Sequence, residues 1–148
     1  MLIDWGARLA GYRSDLTRVV FTDTIPAEIG RIYEVVVAAQ AAGLKAVRPG
    51  IKAKSVDRAA RDVIAEAGYG NEFMHGVGHG LGLEIHEGPV VAGRGEQRLA
   101  GNMVITVEPG IYLPGVGGVR IEDDVVVTAQ GRRRLSSLPV DIRKMVLR

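Results

Sequence analysis

Glycine constrains the fold of this chain more than any other residue type. The sequence contains 20 glycines, and many of them fall in short motifs between Gly76 and Gly118 rather than in a low-complexity linker. Glycine permits tight turns and lets the backbone approach another group closely. This region is therefore predicted to form strands and turns around a site where the backbone lies against something bound.

Two helices are predicted before the glycine-rich region. Apolar residues repeat with helical spacing from Pro26 to about Val47, and Pro49-Gly50 would end that helix. A second helix is predicted to begin at Ser55, a good N-cap residue, and to run to Ala67, before Gly68.

Strands are predicted on both sides of the helices. Residues 1–22 alternate around a turn at Leu9-Ala10-Gly11, and apolar runs occupy Met103–Val107 and Val119–Val127. The order of strands, two helices and further strands indicates an α+β fold with an antiparallel sheet. The 148 residues are the length of one domain.

Composition excludes several classes of function. The chain has no cysteine, which excludes disulfides and thiolate metal sites. It has no run of about 18 apolar residues, so no membrane partner is expected. A net charge of +2 is too small to suggest a nucleic-acid partner, and the basic run Arg132–Arg134 is interpreted as a solvated turn. Without a recognisable signal peptide, a cytoplasmic localisation is expected.

All three histidines of the chain, His75, His79 and His86, lie within one glycine-rich stretch. A lone histidine is usually a satisfied core or surface residue, whereas three packed together indicate a site. Their spacing differs from the HExxH pattern, so a helical zinc site is not indicated.

Four carboxylates are predicted to face each other in pairs. If the first hairpin turns at Leu9-Ala10, Asp4 lies opposite Asp15, and in the last hairpin Glu108 lies opposite Glu122. A bulge would shift either register. Like charges opposed on a buried face are destabilising unless a cation lies between them.

Four carboxylates and a histidine would form a mixed oxygen and nitrogen shell for two divalent ions, with Mn²⁺, Co²⁺, Fe²⁺ and Zn²⁺ as candidates. Two such ions about 3.5–4 Å apart can share a bridging water and lower its pKa toward about 7. The alternative is that these acids are exposed strand residues. Read alone, Glu122-Asp123-Asp124 is typical of a solvated acidic turn, but four acids together favour the metal site.

Four stretches carry a family resemblance: LIDWGARLAGYRSDLTR, FMHGVGHGLGLEIHEGP, MVITVEPGIY and VRIEDD. Together they resemble the pita-bread metallopeptidases, which comprise methionine aminopeptidase, aminopeptidase P and prolidase. The resemblance extends from Leu2 to about Leu138. It implies the pita-bread (creatinase/aminopeptidase) fold, an antiparallel sheet with helices on one face.

The resemblance also implies a ligand set. Asp4 is similar to the ligand of one metal, and Asp15 and Glu122 to bridging carboxylates. His79 resembles the only histidine ligand. Glu108 resembles a ligand of the other metal that also handles the proton of the nucleophilic water. Manganese or cobalt is the expected metal, with zinc or iron as alternatives.

Three further residues resemble substrate-binding and supporting groups. His86 is similar to the histidine that binds substrate and stabilises the tetrahedral intermediate. His75 and Arg120 match the aminopeptidase P and prolidase branch, in which the arginine supports the metal site. The resemblance therefore implies hydrolysis of Xaa-Pro bonds in proline-containing peptides. A metal-bridging hydroxide would attack the carbonyl while His86 or His75 donates to the oxyanion.

The sequence departs from the family at its beginning, since the family's catalytic domain starts well before the first metal-binding aspartate. Residues 1–148 are expected to be the C-terminal portion of a pita-bread catalytic domain, N-terminally truncated, that forms a homodimer or needs a complementing chain. Alternatives are an inactive metal-binding remnant and a peptide- or protein-binding module of the same fold. The retained ligands argue against the binding module and against a metal-free creatinase-like amidinohydrolase.

Overall fold

The structure is a computed structural model, and it describes residues 1–147. Two helices, α1 (Ala27–Ala46) and α2 (Ala53–Glu66), stand between two sets of strands, and this order confirms the predicted α+β class. Short 3₁₀ helices span Gly70–Glu72 and Ile142–Lys144. The strands are β1 (Leu2–Trp5), β2 (Arg8–Leu9), β3 (Tyr12–Arg13), β4 (Leu16–Val19), β5 (Gly78–Gly80), β6 (Glu87–Val91), β7 (Val104–Val107), β8 (Gly110–Leu113), β9 (Gly117–Arg120), β10 (Asp123–Thr128) and β11 (Gly131–Arg134).

The central sheet has five antiparallel strands in the order β11-β10-β7-β5-β6. The ladder between β7 and β10 continues in the same register into the β8–β9 hairpin, since Val107 pairs with Asp123 and Gly110 pairs with Arg120. Glu108 and Glu122 lie in the short gap between these ladders. The predicted register of the last hairpin is therefore confirmed.

The N-terminal hairpin has a different register from the predicted one. Its two-residue turn is Ala10-Gly11, with φ of 50° and 90°, and Leu9 pairs with Tyr12. Asp4 consequently faces Thr17 rather than Asp15, so the predicted pairing of the two aspartates was wrong. Short hairpin turns require positive φ at both central positions, and Gly11 meets that requirement without a steric cost.

Helix α1 buries Ile32, Tyr33 and Val36 of the apolar stripe that its periodicity predicts, whereas Ala41, which falls on the same stripe, is exposed. It packs against β7, β8 and β9, while α2 packs against β6, and the two helices contact each other. They approach closely at Gly43, where a Cβ atom would lie 3.0 Å from Val107 Cγ1 and 3.4 Å from Ala60 Cβ. The helices therefore cover one face of the sheet, as predicted.

Helix α2 begins two residues before the predicted N-cap. Lys52 is the cap residue, and Ser55 lies inside the first turn. The first amides of the helix are satisfied by a distant loop instead of a cap side chain: Ala53 N donates to Gln97 O and Lys54 N to Gly95 O, each over 2.9 Å. Tertiary contacts thus replace local capping.

The structure contradicts the alternative in which Glu122-Asp123-Asp124 form a solvated acidic turn. All three residues are buried, and Asp123 pairs with Arg18 over 2.7 Å. The basic run Arg132–Arg134 is exposed but belongs to β11, the edge strand of the sheet, rather than to a turn. None of the helices in residues 1–147 combines the length and the apolar character that a membrane crossing requires.

Candidate metal centre

The strand β5, which lies between β7 and the edge strand β6, carries His79 between two glycines. A Cβ atom at Gly78 would lie 2.1 Å from Thr106 O, and one at Gly80 would lie 2.1 Å from Gly88 O. No larger residue could bring the backbone so close to both neighbouring segments. The glycines of the GHG motif therefore place the imidazole beside the gap that holds Glu108.

Four of the five predicted metal ligands meet in this gap. Asp15, His79 and Glu122 each offer a ligand atom, and these atoms lie within 4.8 Å of one another. His79 Nε2 lies 3.2 Å from Glu108 Oε1 and 3.8 Å from Asp15 Oδ2. The acids come from both hairpins, so the cluster exists only when the two hairpins pack together.

Asp4 is the predicted ligand that the structure does not bring into this group. Its side chain is 47% exposed, and its Oδ2 accepts a hydrogen bond from Arg120 Nη2 over 2.5 Å. Its charge nevertheless reaches the cluster, because it contributes to the raised pKa of Asp15 after the larger effect of burial. Asp4 would have to turn away from Arg120 to coordinate an ion.

Two carboxylates of the cluster, those of Asp15 and Glu122, have pKa values raised above those of ordinary acids. Burial raises the pKa of Glu122 to about 8, and the neighbouring charge of Glu108 adds to the effect. The Thr17 hydroxyl donates to Glu122 Oε2 over 2.6 Å and opposes the shift. A carboxyl such as that of Glu122, which retains its proton near neutral pH because it is buried and lies beside other acids, is the kind of group that a bound cation would ionise.

The orientation of His79 fits a metal ligand. Its Nδ1 lies 3.0 Å from Gly80 O, and a carbonyl oxygen only accepts, so Nδ1 carries a proton and Nε2 faces the acids. Burial lowers the pKa of His79, but the hydrogen bond with Glu108 and the surrounding acids outweigh it, and the pKa is raised overall. One imidazole nitrogen and several carboxylate oxygens form a donor set that suits divalent manganese, cobalt, iron or zinc.

A second group of predicted residues forms a hydrogen-bonded chain beside the cluster. His75 Nδ1 donates to Gly76 O over 2.8 Å, so His75 Nε2 accepts from the Tyr112 hydroxyl at 2.9 Å. The Tyr112 oxygen in turn accepts from Arg120 Nη1 at 2.9 Å. The chain links His75 to the arginine that holds Asp4.

His86 lies at the exposed rim of the cluster. Its ring meets the His79 ring edge-on, with centroids 4.4 Å apart and an interplanar angle of 75°. The structure therefore brings His86 into contact with His79, while His75 and His79 line one cleft.

Three residues of this region were not predicted from the sequence. Tyr112 could have been found from the register of the last hairpin, because Gly110 pairs with Arg120 and Tyr112 is therefore its diagonal neighbour. Thr106 Oγ1 accepts from the His79 amide at 3.1 Å and donates to Glu108 Oε1 at 3.0 Å. Neither Thr106 nor the exposed Arg94 carries a recognisable sequence signal.

A cleft of about 340 Å³ opens onto the cluster. It is lined by His75, Gly76, Gly78, His79, Val90, Ala92, Arg94, Glu108 and Arg120. Its volume lies within the range of small-ligand sites, and Arg94 places a guanidinium at its wall. The cleft can therefore take a small molecule that bears a negative charge.

Comparisons with known proteins agree with this geometry. The sequence profile of Metallopeptidase family M24 matches residues 1–129. The Xaa-Pro dipeptidase of Pyrococcus furiosus is 47% identical over 136 residues, which are 92% of this chain and 39% of that protein. The solved Xaa-Pro dipeptidase from Bacillus anthracis has a TM-score of 0.95 at 42% identity, covering 99% of this chain and 41% of that one.

A further solved structure, the X-Pro aminopeptidase from Thermotoga maritima MSB8, has a TM-score of 0.92 at 45% identity, covering 95% of this chain and 40% of that one. These likenesses confirm the pita-bread fold that the sequence motifs imply. The chain spans about two fifths of the length of the relatives it matches.

Proposed function

The chain belongs to metallopeptidase family M24, and we propose that it supplies the two-metal centre of a peptidase that hydrolyses Xaa-Pro bonds. The convergence of Asp15, His79, Glu108 and Glu122 in one gap carries this proposal. The substrate class comes from the relatives, whose names specify Xaa-Pro or X-Pro peptides.

The metal ligands proposed are Asp4 for one ion, His79 and Glu108 for the other, and Asp15 and Glu122 as bridges. Manganese or cobalt is the first choice, with zinc or iron as alternatives. Bound ions would supply a water of lowered pKa as nucleophile and would polarise the scissile carbonyl.

Glu108 is proposed to handle the proton of the nucleophile. Thr106 Oγ1 donates to Glu108 Oε1 and so fixes one oxygen, while Glu108 Oε2 remains within 3.9 Å of Arg120 Nε. A carboxylate held in this way can accept a proton and deliver it to the departing amine without changing its position.

His86 is proposed as the donor to the developing oxyanion. Both ring nitrogens of His75 are engaged, one by Gly76 O and the other by the Tyr112 hydroxyl. His86 stands at the rim beside His79 and can turn toward a bound substrate. His75 would then serve the reaction through Tyr112 and Arg120.

Arg94 is proposed to recognise a carboxylate of the substrate. It lies on the wall of the cleft that contains His79 and Glu108. A guanidinium pairs with a carboxylate in a planar, bidentate fashion, so it would favour short peptides whose C-terminus lies near the scissile bond. Residues 1–148 are proposed to form the C-terminal portion of the catalytic domain, with a second copy or a complementing chain as partner.

A second candidate is a metal-binding protein without turnover. The observation in its favour is the placement of Asp4, which is half exposed and paired with Arg120 rather than directed into the cluster. The two candidates share the metal centre and differ in catalysis.

The test is hydrolysis of Xaa-Pro dipeptides by purified protein with added Mn²⁺ or Co²⁺, together with metal content. Wild-type turnover that Glu108→Ala abolishes and Glu66→Ala preserves would support the peptidase, because Glu66 is an exposed acid at the end of α2. Stoichiometric metal without turnover would favour the second candidate. Failure to bind any divalent ion would overturn both.

A further inference from the structure

An ion pair on α2 lies behind the segment that carries His75. Asp57 is 1% exposed, and its carboxylate receives two hydrogen bonds from Arg61, from Nε at 3.0 Å and from Nη2 at 3.1 Å. The two residues are one helical turn apart and form a bidentate pair. A buried carboxylate is tolerated only when it is paired in this way.

The same pair binds the backbone of the histidine segment at three points. Arg61 Nη1 donates to Phe73 O at 2.9 Å, and Arg61 Nη2 donates to His75 O at 2.7 Å. Asp57 Oδ1 accepts from the Val77 amide at 3.0 Å. Residues 73–77 therefore have alternate residues fixed to one rigid helix.

Arg61 also contacts the His75 imidazole indirectly, through the side chain of Phe73. The guanidinium carbon of Arg61 lies 4.1 Å from the centroid of the Phe73 ring. The His75 ring meets the Phe73 ring edge-on at 5.0 Å. Phe73 thus stands between the guanidinium and the imidazole, and the position of one fixes the position of the other.

We propose that Asp57 and Arg61 are positioning residues that hold the His75 imidazole against the Tyr112 hydroxyl. The bonds of this clamp fix the backbone of residues 73–77, and the ring of His75 then has one orientation in which Nδ1 reaches Gly76 O and Nε2 reaches Tyr112. The consequence for turnover rests on the proposed function, whereas the orientation of the ring does not.

Helix α2 itself offers a matched control. Arg58 and Asp62 form a pair with the same spacing on the same helix, but they are 82% and 59% exposed and lie 3.5 Å apart. Exposed pairs of this kind contribute little. Arg58→Lys should therefore leave the tautomer of His75 and the value of kcat/KM unchanged, and Arg61→Lys should change both.

The first readout is independent of catalysis. Long-range ¹H–¹⁵N spectra of the three imidazole rings, recorded on the full chain with chelator, report which nitrogen of each ring carries the proton. We expect His75 in the wild type to show one tautomer with Nδ1 protonated, and Arg61→Lys to show a mixture. An unchanged His75 signal in Arg61→Lys would overturn the proposal even if the chain proved inactive.

The second readout is a double-mutant cycle on Xaa-Pro hydrolysis. Arg61→Lys should lower kcat/KM on the order of 10-fold, as outer-shell partners typically do, with unchanged manganese affinity. In a His75→Ala background the same substitution should change kcat/KM less than 2-fold, because the ring it positions is gone. If the losses in kcat/KM from Arg61→Lys and His75→Ala were additive, the Asp57–Arg61 pair would act on turnover by a route other than His75, and the proposal would be wrong.

Asp57→Asn is the second variant if Arg61→Lys does not fold. It keeps Oδ1 as the acceptor for the Val77 amide, and it replaces Oδ2, which accepts from Arg61 Nε, with an amide nitrogen that only donates. The same mixture of His75 tautomers is expected, and a single tautomer identical to that of the wild type would contradict the proposal.

Discussion

The C-terminal hairpin (β7 to β10) and the N-terminal hairpin (β1 to β4) each keep one register across a short gap, but they differ in how deeply they bury their acids. The C-terminal hairpin buries Glu122 at 2% exposure. The N-terminal hairpin leaves the side chain of Asp4 47% exposed. The acid that the C-terminal hairpin supplies to the candidate metal centre is therefore more tightly packed than the one on β1.

Two arginines tie these hairpins together, and they show the same contrast. Arg18 on β4 is buried and pairs with Asp123 on β10, while it also donates to Glu122 O at 2.6 Å. Arg120 on β9 is 19% exposed and pairs with Asp4 on β1. The C-terminal hairpin therefore provides a fixed base, whereas Asp4 on β1, the remaining proposed ligand, lies half exposed beside it.

The largest expected effect comes from removing the buried ion pair between Arg18 and Asp123. Arg18→Met should lower the free energy of unfolding by about 3 kcal/mol, because it removes the buried cation from Asp123 Oδ1 and leaves only Gln40 and the half-exposed Arg134 on Oδ2. Arg120→Met should lower it by about 1 kcal/mol or less, since its partner Asp4 is half exposed. Urea unfolding monitored by circular dichroism measures both. Equal losses would show that the two hairpins are held alike.

The second expected effect concerns metal affinity. Glu122→Gln should weaken binding of Mn²⁺ by more than about 100-fold, beyond the range typical of outer-shell substitutions, because the buried carboxylate is the best-fixed member of the cluster. Asp4→Asn should weaken it by about 10-fold. Titration calorimetry measures the two constants. A larger loss of Mn²⁺ affinity in Asp4→Asn than in Glu122→Gln would contradict the view that the C-terminal hairpin provides the better-fixed ligand.

The third effect is a pH dependence of the metal-free protein. The pKa of Glu122 is about 8 in the folded chain against 4.5 for the free group, so between these values the folded state binds the extra proton. Stability should therefore fall as pH rises through this window, by at most about 1.4 kcal/mol per pH unit for one proton.

Glu122→Gln removes the group that binds this proton, so the free energy of unfolding should depend less on pH, by up to about 1.4 kcal/mol per pH unit. Asp4→Asn should leave most of that pH dependence in place. Unfolding midpoints at pH 5, 6.5 and 8, recorded with chelator, provide the measurement. A profile of Glu122→Gln as steep as that of the wild type would place the extra proton on another group.

The smallest expected effect lies in the two turns. Ala10 has φ of 50°, a conformation that Asn adopts more readily, so Ala10→Asn should raise the free energy of unfolding by roughly 0.5–1 kcal/mol. Gly115, with φ of 76°, is already suited to its turn, and Gly115→Ala should lower it by about 1 kcal/mol. Thermal unfolding of both variants tests whether the N-terminal turn is the strained one.

Most of the fold was predictable because local patterns determine it. The periodicity of α1 and the apolar runs of β7 and β10 indicated these elements, and the register of the last hairpin followed from its glycine-rich turn. The start of α2 was missed because Gln97 O and Gly95 O replace a cap side chain. The register of the first hairpin was missed because the positive φ of Ala10 was not foreseen.

The groups available for chemistry could be named from the amino-acid sequence: three histidines in one stretch, four acids in two hairpins and the motifs around them. Which of these groups meet depends on how the chain packs. The tertiary structure buried Glu122 beside Glu108, left Asp4 with Arg120, and recruited Tyr112 and the Asp57–Arg61 pair. The physical reason is that motif and periodicity act over a few residues, whereas burial and charge pairing depend on groups that lie up to about a hundred positions apart.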